Sequence, residues 1–220
     1  MPAETTILPT TDAEGRRVID VSGLNDYGWD SSDPVWWGNL LVILIETMTI
    51  VLLLVSYFYI RRNFDEWPPP LSTSEPTVYR AVPGLTIPTI ELGLLVIMCL
   101  PMYLIDMAAR KLQQKKVVLG LWLMFIVTVA VIVMRFTDFE GLHFKWYHNA
   151  YGSVTWIILG THLTYLLAMA AEFFIMALWL SRKPIDDKHA LDVTLAGGYW
   201  YWVAATWIAA YATVYIAPRF

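Results

Sequence analysis

Five apolar runs of about twenty residues, parted by polar and proline-rich segments, dominate the chain, and none alternates with period two. The first, Trp36 to Ile60, reads WWGNLLVILIETMTIVLLLVSYFYI and is followed by Arg61 and Arg62. As a helix of about 25 residues it is long enough to cross an apolar bilayer core of roughly 30 Å. Its Trp pair at one end, its Tyr57, Phe58 and Tyr59 at the other and the basic stop suit two water interfaces. The later runs predict helices over about 86–109, 117–135, 149–180 and 197–217. Pro88 falls in the first turn of the second helix, and Pro101 predicts a kink. The length of the fourth predicts tilt or projection beyond the membrane. Continuous apolar runs of this length suit spanning helices, not barrel strands. The fold class predicted is all-α, a membrane bundle of five transmembrane helices.

Polar residues inside these runs change the picture. Glu46 lies ten residues into the first helix. A charge at the bilayer centre costs roughly 2.5–3.5 kcal/mol on insertion scales, so the side chain is expected protonated or hydrogen-bonded within the bundle. Asn39, Glu46, Thr49, Leu53 and Ser56 share helical spacing and form one stripe. Thr155, His162, Tyr165, Met169 and Glu172 form a matching stripe on the fourth helix. Both stripes are expected to face protein. They read either as a proton or ion path or as interhelical hydrogen bonding that fixes the bundle. His162 is the expected partner of Glu46. Gly152 and Gly160 are small residues that permit close helix packing.

Composition agrees with a membrane bundle. Of 220 residues, 57% are hydrophobic and 15% charged, with mean hydropathy +0.52, where a soluble domain has about 25% charged residues. Residues 1–35 are the exception, an acidic segment with Glu4, Asp12, Glu14, Asp20, Asp26, Asp30 and Asp33 against Arg16 and Arg17. They predict an extramembrane tail, with residues 36–220 as the membrane domain and Asp33-Pro34 as a helix entry. No apolar run precedes Trp36, so no signal peptide is expected. Lys and Arg, nine against six across alternate loops, favour an N-terminus inside and a C-terminus outside. A net charge of −4 without a basic cluster gives no reason to expect nucleic acid.

Metal chemistry has little support in the spacing. Cys99 is the single cysteine, which excludes an internal disulfide and a cysteine-built cluster. His143 and His148 with Glu140 are separated by Lys145 and read as interfacial polar residues. His162 is the only deep histidine, so a haem–copper centre, which needs several, is not expected in this chain. A metalloenzyme built on Glu140, His143, His148 and His162 is therefore not favoured. A small proton-coupled secondary transporter using Glu46 and Glu172 is the alternative function, although no inverted repeat is visible.

Several motifs, in order, carry a family resemblance. Trp37-Gly38, Ile45-Glu46-Thr47-Met48, Ser56-Tyr57-Phe58-Tyr59 and Trp67-Pro68-Pro69 resemble the Glu-bearing helix of cytochrome c oxidase subunit III and its following loop. Asn149-Ala150-Tyr151-Gly152-Ser153 with Leu159-Gly160-Thr161-His162 resembles the family's later Tyr-Gly-Ser helix, and Glu140 stands where the family has a Glu before it. Tyr199-Trp200-Tyr201-Trp202-Val203 and Trp207 resemble the C-terminal element. Tyr165 replaces the second His of a His-x-x-His, and Tyr201 and Ala204 replace a His and an Asp. The resemblance is to the five-helix bacterial form. It implies a non-catalytic accessory subunit of an aa3-type oxidase in the bacterial cytoplasmic membrane, with haem and copper in partner subunits and no cofactor in this chain. The implied partners are the catalytic subunit I, other oxidase subunits, membrane phospholipid and a possible larger respiratory supercomplex. The implied roles are support of proton uptake and of stability during turnover. Glu46, His162, Tyr165, Glu172 and Glu140 are the expected buried polar positions. Trp36, Trp37, Trp67, Trp200, Trp202 and Trp207 are candidates for lipid or interface contact.

Overall fold

A computed structural model describes residues 9–11, 17–19, 34–69, 82–142 and 144–220. Two three-residue strands, β1 (Pro9–Thr11) and β2 (Arg17–Ile19), pair antiparallel within the acidic segment. The remaining regular elements of the described chain are helices: α1 (Pro34–Arg61), α2 (Thr86–Ile97), α3 (Cys99–Arg110), α4 (Gln114–Gly141), α5 (Ala150–Leu180) and α6 (Asp187–Tyr211). Most of the acidic segment, including its carboxylates, lies outside the described residues.

The five predicted helices are present, with differences at their ends. Helices α2 and α3 form one span, Thr86–Arg110, interrupted only at Met98. The helical hydrogen bonds continue through the break, Met98 N to Leu94 O and Met102 N to Met98 O. Pro101, which has no N–H to donate, accounts for the irregularity one turn upstream. Helix α4 runs six residues past the predicted end at Arg135, to Gly141. Helix α6 begins ten residues before the predicted start. The Asp186 carboxylate caps it by accepting from His189 N at 2.9 Å. Apolar residues inside its polar opening, Ala190, Leu191 and Val193, are buried. Past Tyr211 the helix widens to a π turn, Ala212–Ile216, and ends in a 3₁₀ turn, Ala217–Arg219.

Four of these spans, all but α6, are long and apolar enough to cross a membrane by length and composition. Helix α4 packs along α5, α3 along α6, and α1 lies against α5 and α6. Close approach is visible at two glycines. A Cβ on Gly152 would stand 2.5 Å from the Lys145 carbonyl oxygen, and one on Gly120 would stand 2.4 Å from Ile105. Gly160, expected at a tight contact, has open space beside it. Helix α1 is the least enclosed span, with Leu44, Met48, Val51, Leu52, Val55 and Tyr59 exposed.

Gln114 ties the α3–α4 turn to the α5–α6 turn. Its Nε2 donates to Leu180 O at 2.5 Å and Lys183 O at 2.7 Å, and its Oε1 accepts from Ile185 N at 2.7 Å. Polar backbone of the α5–α6 turn is thereby satisfied by one amide from the start of α4.

Candidate functional site

Two polar clusters sit inside the bundle. The first joins α1 to α5 and α6. Glu46 Oε2 accepts a hydrogen bond from Tyr199 OH at 2.6 Å, and the Glu46 carbonyl accepts from Tyr165 OH at 3.2 Å. One residue later, Thr47 Oγ1 accepts from Trp202 Nε1 at 2.7 Å. The Trp202 ring packs on Tyr165 and Tyr199, with centroids 4.9 and 5.3 Å away. Glu46 does not pair with His162. The His162 Nε2–H donates instead to Val203 O at 3.1 Å, and the ring packs on Trp207 at 4.8 Å.

The polar stripe on α5 faces inward, with Thr155, His162, Tyr165 and Met169 buried. The stripe on α1 does so only in part. Asn39, Glu46 and Leu53 turn toward the bundle, whereas Thr49 and Ser56 are exposed. Their hydroxyls donate to the carbonyls of Ile45 at 3.1 Å and Leu52 at 2.7 Å. A hydroxyl bonded one turn back on its own helix needs no partner on another. Glu172 lines a cavity of about 380 Å³ with Asn39 and Asp192.

The second cluster was not legible in the sequence patterns above. Glu91 on α2 and Arg135 on α4 are fully enclosed, with Glu91 Oε2 and Arg135 Nη2 2.5 Å apart. The guanidinium carbon lies 3.5 Å from the Trp207 ring centre, a desolvated cation–π contact. One turn along α4, the buried Asp138 accepts a hydrogen bond from Tyr215 OH. The π turn after α6 carries Tyr215. Arg219 then donates to the carbonyls of Tyr215 and, at 2.6 Å, Pro83. Two carboxylates, one guanidinium and a phenol thus link α2, α4 and the end of the chain. A sequence signal for the cluster exists: Glu91 interrupts an apolar helix just as Glu46 does, and Arg135 and Asp138 are three apart, on one helix face.

The other predicted residues fall in different places. Glu140 is exposed, and the buried acid of that turn is Asp138, because α4 continues and turns position 138 inward. Trp200 and Trp207, expected at lipid or an interface, are wholly enclosed by this chain. Their rings pack on Phe173 and on His162 and Arg135. Trp37 is half exposed, and Trp36 meets it edge to face at 5.2 Å. Trp67 is partly buried and donates from Nε1 to Tyr57 OH at 2.8 Å. His148 is exposed, and His143 lies outside the described residues. Among the described residues no three His, Cys, Asp or Glu side chains are grouped to hold a metal ion.

Three of the motifs read from sequence converge in space. Tyr57, Trp67 and Tyr151, from the Ser-Tyr-Phe-Tyr, Trp-Pro-Pro and Tyr-Gly-Ser motifs, form one ring cluster with centroids 5.1 to 6.3 Å apart. Chemically, the first cluster hydrogen-bonds a carboxyl group and the second pairs opposite charges, either of which would be costly alone inside a bilayer.

No protein-family model matches the chain. Cytochrome c oxidase subunit 3 of Corynebacterium diphtheriae is 31% identical to it over 67 residues, 30% of this chain and 33% of that protein. The match therefore spans about a third of the relative's length. With its apolar helical spans and this match, the chain is a helical membrane protein distantly related to cytochrome c oxidase subunit 3.

Proposed function

We propose that this chain is a non-catalytic accessory subunit of an aa3-type haem–copper oxidase. It packs against the catalytic subunit, binds phospholipid, and supports proton uptake and turnover stability in aerobic respiration. The observation that carries this reading is the convergence of the resembling motifs. Glu46 meets Tyr199 of the C-terminal element, and Tyr57, Trp67 and Tyr151 meet one another. The relationship to an oxidase subunit 3 supports it independently.

In this reading the haem and copper belong to partner subunits. The chain's own contribution is packing: buried polar contacts hold the helices in register, and the remaining apolar surface meets lipid and neighbouring subunits. The bundle lies in the bacterial cytoplasmic membrane with its N-terminus on the cytoplasmic side and its C-terminus on the periplasmic side. The test is isolation of the native assembly through a tag on this chain. A haem spectrum in the purified material, with oxygen consumption, supports the reading. A stable assembly without haem that carries protons in vesicles would favour the transporter built on Glu46 and Glu172.

A further inference from the structure

One face of α5 is left uncovered by the bundle, with Ile157, Thr164, Ala168, Ala171 and Ile175 exposed along it. Gly160, Thr164, Ala168 and Glu172 stand four apart and form one ridge of that face. A Cβ on Gly160 would meet nothing within 4 Å. Thr164 turns its hydroxyl back to Thr161 O at 2.6 Å. Small residues at this spacing let a second helix approach closely inside a membrane. We propose that this face of α5 docks a transmembrane helix of a neighbouring subunit, and that this helix carries a Lys or Arg that pairs with Glu172. The inference deepens the packing part of the function proposed above and rests on it, because it takes neighbouring subunits as given.

Charge selects the occupant. Glu172 lies eight residues before the end of α5 at Leu180, about 12 Å along the helix. An ionisable side chain at such depth is costly unless it is paired. Glu46 and Glu91 find their partners inside this chain. Glu172 makes no hydrogen bond or ion pair among the described residues. The ionisable groups that line its cavity are Glu172 itself and Asp192, so the lining has a formal charge of −2. Asn39, also in that lining, directs its Nδ2 to Leu195 O at 3.4 Å. A cation brought in from outside the chain compensates both carboxylates.

Two other occupants fit this face less well. The described basic residues of this chain lie at helix ends, in turns or in β2, apart from Arg135, which Glu91 and Trp207 enclose. A second copy therefore offers no cation at the depth of Glu172. The chain's own first 35 residues hold seven carboxylates against Arg16 and Arg17, and so match a negative cavity poorly. A helix of a different subunit with one basic residue meets both the small ridge and the charge.

The test replaces Ile175, one turn from Glu172, by the photocrosslinking residue benzoylphenylalanine in the full chain and irradiates native membranes. Mass spectrometry identifies the captured peptide. The expected result is a transmembrane helix of another subunit, with a Lys or Arg within about one turn of the captured residue. Glu172→Gln should lower the yield about tenfold or more, as truncating one member of a buried charge pair does. Glu172→Asp keeps the charge and should keep most of the yield. Glu172→Gln should leave the Tm of the purified chain in detergent unchanged, which separates lost docking from misfolding. Capture of a helix without a basic residue there, of a second copy, of residues 1–33 or of lipid alone overturns the proposal. No capture, equal capture in Glu172→Gln, or a Tm that falls in that variant overturns it as well. Haem in the tagged assembly is read separately, so failure here leaves the association with an oxidase standing.

Discussion

Glu91 Oε2 and Arg135 Nη2 lie 2.5 Å apart with neither side chain reaching solvent. The Trp207 ring covers the guanidinium from the other side. Two helices that are far apart in sequence are thus joined by a charge pair inside an apolar bundle. Arg135 Nε and Nη1 and Glu91 Oε1 have no hydrogen-bond partner among the described residues, so the pair itself carries most of the compensation for burying charge.

The pair predicts a strong asymmetry between single and double replacement. Removing one partner leaves an uncompensated buried charge, at a cost of about 3–5 kcal/mol, whereas a well-packed apolar pair is often neutral or stabilising. Arg135→Met or Glu91→Leu alone should therefore lower the Tm in detergent sharply. Glu91→Leu combined with Arg135→Met should recover most of the loss. Additive losses in the double variant would contradict the pairing.

A second prediction concerns the seam at Glu46. Tyr199→Phe removes the donor to Glu46 Oε2, a hydrogen bond to a carboxyl group worth about 1.5–3 kcal/mol if that group is charged. Tyr165→Phe removes only a 3.2 Å contact to a backbone carbonyl and should cost about 1 kcal/mol. Thermal unfolding of the two variants should rank them in that order. Glu46→Gln retains an acceptor for Tyr199 and should be milder than Glu46→Ala.

Gln114 gives a third. Replacing it by Leu removes partners from the carbonyls of Leu180 and Lys183 and from Ile185 N–H. Hydrogen exchange at Ile185 and in the first turn of α6 should accelerate in the variant, while α1 and α2 stay protected. Unchanged exchange in this turn would show that water replaces the amide without loss.

A pH dependence follows from Asp186 at the start of α6. The His189 backbone N–H that it accepts holds its carboxyl below the usual carboxylate range. A depressed value means that the charged form is favoured when folded. The capping contribution is thus fully present above the ordinary value of about 3.9 and is lost as pH falls through the depressed one. Exchange at residues 187–190 should rise in that acid window. Asp186→Asn, which also caps well, should remove the acid dependence while keeping the protection.

The fold was largely readable because apolar runs near twenty residues have few alternatives to a spanning helix. Helix ends were less readable where polar residues are buried. The predicted helix over about 117–135 stops at Arg135, yet Glu91 and Trp207 enclose that residue and α4 continues for six more residues. The opening of α6 read as loop because half its residues are polar, while the Asp186 cap and the buried Leu191 and Val193 make it helix. Of the candidate site, Glu46, His162 and Tyr165 stood out as polar groups in apolar helices, but their partners depended on helix rotation. Thr49 and Ser56 share the spacing of Glu46 and are exposed. Glu91 carried the same signal as Glu46, and only its enclosure with Arg135 shows what it does.

The most direct measurement is isolation of the native membrane assembly through a tag on this chain, followed by a reduced-minus-oxidised spectrum and an oxygen-uptake assay. An accessory oxidase subunit predicts haem absorbance and oxygen consumption that travel with the tag and persist in Glu46→Gln. Recovery of the chain alone, as a haem-free assembly that moves protons across vesicles and stops doing so in Glu46→Gln, would contradict it.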